Sequence, residues 1–255
     1  MDYTILGRTG LKVSVMGLGA GGSSRVGQGT GKSINDSIDI IRKALDSGIN
    51  IIDTAEFYRT ENIVGEAIKN YDRESIILST KKTIWSDITP KEVKEGFNNS
   101  LKNLNTDYID IYHLHAVPLE DYDYIVEEIL PTVLEFKNQG KVRHLGITER
   151  FEEDIEHEML QRALKDDFWD VIMIGFNILN QSARQTIFPK TIEKNIGVLV
   201  MYAVRYALRS ENNFRKVIKK LIRDKQIKET DINIQNPLDF LSFEEDVNHI
   251  IDAAY

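Results

Sequence analysis

A chain of 255 residues, 42% hydrophobic and 28% charged, is ordinary for a globular protein and can bury a sizeable core, as one large α/β domain or two small ones. A net charge of −8 gives no basis for a nucleic-acid partner, and the charges are interspersed as on solvated helix faces. The absence of cysteine excludes disulfides, thiol catalysis and Cys-ligated metals. No leader pattern opens the chain, and its longest apolar run, Ile196 to Val204, is too short for a bilayer, so a cytoplasmic protein without a membrane partner is expected.

Tyr3 to Val13 holds two short β-prone runs around a Gly-rich turn, a hairpin signal. A short strand is expected at Val15 to Gly19, then loop as far as Ser33, then a helix carrying Ile38, Ile41, Ala44 and Leu45 to Gly48. From there strands and helices alternate. The strands are Ile49 to Asp53, Ser75 to Thr80, Tyr108 to His115, Val142 to Ile147, Val171 to Asn177 and Gly197 to Ala203. Between them the spacing predicts helices over Glu61 to Lys69, Pro90 to Leu104, Tyr122 to Gln139, Glu156 to Leu164 and Ala183 to Asn195. Strict alternation implies a parallel sheet, and runs such as Val198 to Met201 suit burial on both faces. Seven strands without a composition break point to one TIM-type (β/α)8 barrel domain over residues 1–255, rather than two Rossmann halves. The eighth strand and helix are read as missing. After Ala203 come a polar loop, a basic helix Asn213 to Asp224, a loop with Pro237, and a helical segment Phe243 to Tyr255 without a cap.

Two glycine motifs fall short. Gly17-Leu-Gly-Ala-Gly-Gly22 has dinucleotide-fingerprint spacing, but the polar, Gly-rich stretch after it cannot be the helix whose N-terminus would hold a pyrophosphate. The run lets backbone approach a ligand or simply makes a flexible loop, and Gly21 within it is a candidate cofactor contact. Gly31-Lys32-Ser33 lacks the earlier glycine of a phosphate-binding loop, since that position is Val26. His113 and His115 share a strand face, yet no third ligand for a metal is evident, so no metal is expected.

The chemistry gathers elsewhere. Asp53 closes the apolar run Asn50-Ile-Ile-Asp53, and Tyr58 follows five residues later. An acid at the carboxyl end of a barrel strand is a site candidate, although Asp53 could equally cap the helix beginning near Thr60. Ser79-Thr-Lys-Lys82 places a lysine at the next strand end, and His115 closes the one after. In a parallel barrel these ends meet at one mouth. An ammonium there would lower the pKa of a tyrosine that is otherwise a poor acid, a carboxylate would hold the ammonium, and a histidine would orient a substrate oxygen. Tyrosine would then protonate a carbonyl oxygen as hydride reaches carbon, and hydride requires a nicotinamide cofactor.

At these residues the sequence resembles the aldo-keto reductase family. Gly48 to Tyr58 with Glu61 and Gly65 is similar to its first signature, Ser79-Thr-Lys81 to its catalytic lysine motif, Asp107 to His115 to its histidine strand, and Gly140 to Thr148 to its fifth strand. The resemblance implies a barrel closed at its base by the N-terminal hairpin, and reduction of an aldehyde or ketone with NADP(H) or NAD(H). It implies a tetrad of Asp53, Tyr58, Lys81 and His115, with Lys82 on the opposite side of its strand. Thr148 is implied as a partner of the nicotinamide carboxamide, and Tyr202 as the aromatic on which the ring stacks. The chain departs from the family pattern at Arg59, where glycine is usual, at Thr148-Glu149, where Ser-Asn is usual, and at Met173, where glutamine is usual. Glu149 thus brings a charge to a cofactor-binding position. The alternative function is a non-catalytic remnant or binding subunit of the same fold. Substrate identity would lie in the loops Ser23 to Lys32, Thr83 to Thr89 and Tyr206 to Asn213.

Overall fold

A computed structural model describes residues 1–204, 207 and 210–236. Strands β1 (Tyr3–Ile5) and β2 (Lys12–Ser14) form the antiparallel hairpin. Then follow β3 (Leu18–Gly19), α1 (Ile34–Asp46), β4 (Ile51–Asp53), α2 (Glu61–Ile68), β5 (Ile77–Thr83), α3 (Pro90–Leu104) and β6 (Ile109–Val117). Next come α4 (Tyr122–Tyr124), a π-helical turn Ile125–Ile129, α5 (Leu130–Asn138), β7 (Val142–Glu149), α6 (Glu158–Ala163) and β8 (Val171–Gly175). The described part ends with α7 (Ala183–Thr186), α8 (Phe188–Glu193), β9 (Gly197–Met201) and α9 (Glu211–Arg223).

The seven strands β3 to β9 form one sheet in sequence order, with parallel pairing from β3 to β8. This is the (β/α) barrel succession that the alternation predicts. The expected helix at Phe243 to Tyr255 and the loop at Pro237 lie outside the described residues. Two compact units divide the chain: Met1–Ile174 with Gln185–Leu199, and Gly175–Arg184 with the chain from Val200. In the second, Phe214 and Ile218 of α9 pack with Ala207, flanked by Ile178, Val204 and Val217.

In the first unit the hairpin supplies Leu6 and Val13 to a cluster with Ile51, Ile77, Ile111 and Val171, one residue from each of β4, β5, β6 and β8. Arg8 fastens it: Nη1 donates to Asp167 Oδ1 at 2.6 Å, Nη2 to the Trp169 carbonyl at 2.7 Å, and its backbone N–H to Asn195 O at 2.5 Å.

Several boundaries differ from the sequence expectation for physical reasons. Val15 donates its N–H to Asp2 O at 3.0 Å and so continues the hairpin, leaving β3 to begin at Leu18. Arg25–Thr30 is a 3₁₀ turn rather than loop. Pro131, in the first turn of α5, removes a backbone donor, and the expected helix Tyr122 to Gln139 widens into a π turn just before it. Pro189 stands likewise at the start of α8, where the expected helix Ala183 to Asn195 breaks in two. Strand β9 stops at Met201, because Tyr202 takes the left-handed conformation, φ +65°. Among the described residues no helix is long and apolar enough to cross a membrane.

Candidate active site

Beyond β4 the chain makes a 3₁₀ turn, Glu56–Tyr58, closed by Arg59 at φ +57°. Glycine adopts that conformation freely, whereas arginine does so at a cost of about 1 kcal/mol, which accounts for glycine being usual there. The turn sends its three side chains to separate places. Lys82 Nζ donates to Glu56 Oε2 at 2.8 Å, Phe57 is 64% exposed, and Tyr58 faces His115. Lys82 thereby leaves the opposite side of β5 to Lys81.

Lys81 is fully buried, and its Nζ donates to Asp53 Oδ2 at 2.5 Å and to the Thr54 carbonyl at 2.8 Å. Asp53 Oδ1 accepts from Ser79 Oγ at 2.7 Å, so both its oxygens are engaged across the β4–β5 ladder, while Thr60 takes the N-cap position of α2. Burial pulls the Lys81 pKa below its ordinary value; the Asp53 carboxylate and then Glu61 oppose that fall. The same ammonium lies 5.2 Å from the centroid of the Tyr58 ring.

Tyr58 and His115 meet edge to face, centroids 5.6 Å apart at 88°, with the phenol oxygen 3.4 Å from Nε2. Thr83 Oγ1 lies 3.3 Å from His115 Nδ1. Burial, reinforced by Lys81, pushes the His115 pKa down to about 3, so the imidazole is neutral near pH 7. If the Thr83 hydroxyl donates to Nδ1, the proton of the neutral ring resides on Nε2, the nitrogen facing Tyr58. His113, two residues earlier, is fully buried against Gly146. Among the described residues neither of its ring nitrogens has a hydrogen-bond partner, and burial holds its pKa well below the ordinary value.

The four candidate cofactor residues divide. Gly21 lies against the Tyr58 ring: a Cβ at this position would stand 2.3 Å from Tyr58 Cε2. Thr148 is buried, and its Oγ1 accepts from Ala116 N–H at 2.8 Å, which leaves the hydroxyl proton for a second partner. Glu149 is buried at 2.8 Å from His157 Nδ1, and Phe151 stacks on that imidazole with centroids 5.8 Å apart. Its carboxyl group is thus engaged inside the protein by a histidine eight residues on. Tyr202 belongs to the second unit, where its carbonyl accepts from Asn177 Nδ2 at 3.2 Å. Met173 is a buried β8 residue paired with Thr148.

Sequence reasoning missed Thr83, His157 and an aromatic pair. Phe57 and Trp85 meet edge-on with centroids 6.4 Å apart, and Trp85 is 52% exposed. Trp85 opens a turn held by Ile88 N–H donating to Trp85 O at 3.0 Å, with Ile84 and Ile88 buried and Tyr124 Oη donating to Ile88 O. Trp85 stands just after β5, the strand next to the one that leads into Tyr58, and a contact between two such loops carries no period in the sequence.

The model of the Aldo/keto reductase family matches residues 16–245, and the chain belongs to that family. It is 32% identical over 215 residues to the aldo-keto reductase YhdN of Bacillus subtilis, covering 78% of this chain and 61% of that protein. The NADH-specific methylglyoxal reductase of Escherichia coli is 28% identical, with 76% and 65% covered. The chain therefore spans slightly less than two thirds of the length of these relatives. Among solved structures, the holo form of aldo-keto reductase AKR11C1 from Bacillus halodurans superposes with a TM-score of 0.66 at 29% identity, covering 82% of this chain and 69% of that one.

Proposed function

We propose that the chain carries the hydride-transfer centre of an NAD(P)H-dependent carbonyl reductase, with Tyr58 as proton donor to the substrate oxygen. The observation that carries this reading is the ion pair of buried Lys81 with Asp53 against the Tyr58 ring, with neutral His115 packed edge-on against the same ring. An ammonium beside a developing phenolate stabilises it and so favours proton release from Tyr58. Asp53 keeps Lys81 protonated against its desolvation. His115 Nε2–H donates to the carbonyl oxygen and aligns it with Tyr58. Phe57 and Trp85 offer apolar surface to the substituent of an aldehyde or ketone.

Thr148 fits a nicotinamide carboxamide, having a hydroxyl proton to give; Gly21 and Tyr202 are assigned to the cofactor by family resemblance. Glu149, engaged with His157, serves more naturally to fix the end of β7 than to replace a neutral amide. A reduced nicotinamide bound there supplies hydride to the carbonyl carbon. The relatives include an NADH-specific enzyme, which supports a nicotinamide without selecting between NADH and NADPH for this chain.

Tyr58→Phe is expected to lower carbonyl-dependent NAD(P)H oxidation about 10²- to 10⁴-fold, the contribution typical of a positioned acid. Unchanged activity eliminates Tyr58 as donor. A second reading, a binding subunit without catalysis, is favoured by the match to a putative voltage-gated potassium channel subunit beta of Schizosaccharomyces pombe, 32% identical over 170 residues. Fluorescence titration with NADPH and NADH separates the two, since absence of binding at millimolar cofactor favours the subunit.

A further inference from the structure

We propose that Gly21 is a positioning residue for the Tyr58 phenol: the missing side chain at this one place lets the ring lie where Lys81 and His115 act on it. The proposal rests on the reading of Tyr58 as proton donor.

The backbone around Gly21 cannot recede. Ala20 N–H donates to Asp53 O at 2.7 Å, and Ala20 O accepts from Thr60 Oγ1 at 3.1 Å. Thr60 Oγ1 is itself 2.9 Å from Thr54 Oγ1 in a buried contact, and Gly21 O accepts from Arg25 N–H at 3.2 Å. The segment is therefore tied to the end of β4 on one side and to the start of α2 on the other. A Cβ on Gly21 would stand 2.3 Å from Tyr58 Cε2 and 2.6 Å from Cδ2 and Cζ, in the half of the ring that bears the hydroxyl. Gly21 is not among the glycines of positive φ, so what bars a side chain there is the phenol ring and not the backbone conformation.

Around the rest of the ring, Lys81 Nζ lies 5.2 Å from the centroid and His115 packs edge-on. Relieving the overlap requires a ring displacement on the order of 1 Å, and errors of that size in a reacting group cost about a hundredfold in rate. Gly19, two residues earlier, is a matched control: a Cβ there meets nothing within 4 Å, and its φ is not positive.

The experiment compares Gly21→Ala with Gly19→Ala in the full chain. Gly21→Ala is expected to lose about a hundredfold in kcat, to move the alkaline limb of the kcat pH profile as the phenol leaves Lys81, and to keep its cofactor Kd within twofold. Gly19→Ala keeps the parental kcat. A retained kcat in Gly21→Ala, or a weakened cofactor Kd with kcat intact, overturns the proposal, the latter giving Gly21 to the cofactor alone. A thermal-denaturation cycle tests the contact without activity. Gly21→Ala lowers Tm in the parent, and the loss disappears in a Tyr58→Ala background; an equal loss in both overturns the contact. An inactive parent chain, by contrast, sinks the carbonyl-reductase reading while leaving this cycle legible.

Discussion

Asp53→Asn removes the carboxylate that Lys81 pairs with while preserving the shape of the side chain. Lys81 Nζ is fully buried and donates to Asp53 and to one backbone carbonyl, so the substitution leaves an ammonium with only neutral partners. Breaking one side of a buried pair costs about 3–5 kcal/mol, which in a domain of this size is roughly 6–20 °C in Tm. The cost depends on pH in a defined direction. Burial already lowers the Lys81 pKa against Asp53's opposition, and losing Asp53 lowers it further. Between that depressed folded value and about 10.4 the unfolded chain binds a proton that the folded chain does not, so the variant gains stability as pH rises, by about 1.4 kcal/mol per unit. The assay is urea unfolding from pH 7 to 10, followed by the fluorescence of the two tryptophans. Adding Lys81→Met should restore more than half of the lost stability while activity stays absent. An Asp53→Asn chain within about 1 kcal/mol of the parent at pH 7, with no upward slope, would refute the electrostatic account of this pair.

Two other outcomes follow from the geometry. His113 and His115 are held neutral by burial, so below about pH 6.5 the unfolded chain binds protons the native state refuses, and stability falls by about 1.4 kcal/mol per pH unit for each. His113→Leu should reduce that acid slope by about one histidine's share and cost little or nothing at pH 7, because it removes buried nitrogens without partners; urea midpoints at pH 5 and 7 measure both. Trp85→Ala should raise KM for an aromatic aldehyde about tenfold, the loss of some 60 Å² of apolar contact at about 25 cal/mol/Å², and leave KM for a small aliphatic aldehyde nearly unchanged. Equal effects on both substrates would detach Trp85 from substrate binding.

What could be read in advance was whatever is written in period or in local caps. Helix α3 spans Pro90–Leu104 as the spacing predicts, and Thr89 and Glu92 form a reciprocal capping box at its start, with a proline in the first turn. Alternation along β5 separates Lys81 from Lys82, and the apolar run marks Asp53 as the last residue of β4, whereas β6 runs two residues past the expected end at His115 to Val117. Gly65 of the first signature has a steric reason that sequence does not display: a Cβ there would lie 2.5 Å from Asn103 O, at the end of α3. Contacts between loops carry no period, so the Phe57–Trp85 pair, the Glu149–His157 pair and the rest of Tyr58 against Gly21 were not visible. Glu149 in particular read as a charge brought to a cofactor position, because its histidine partner lies beyond the strand in an irregular segment.

The fastening of Arg8 has a bearing on how the molecule is made. Its carboxylate and carbonyl acceptors are 159 and 161 residues downstream, so the hairpin gains these bonds only after that length of chain has been made. At about 5–20 residues per second, that leaves the hairpin waiting roughly 10 to 30 s with Leu6 and Val13 uncovered. Synthesis thus imposes on the hairpin an interval of vulnerability that the finished structure no longer shows, and a folding helper would find a client surface there.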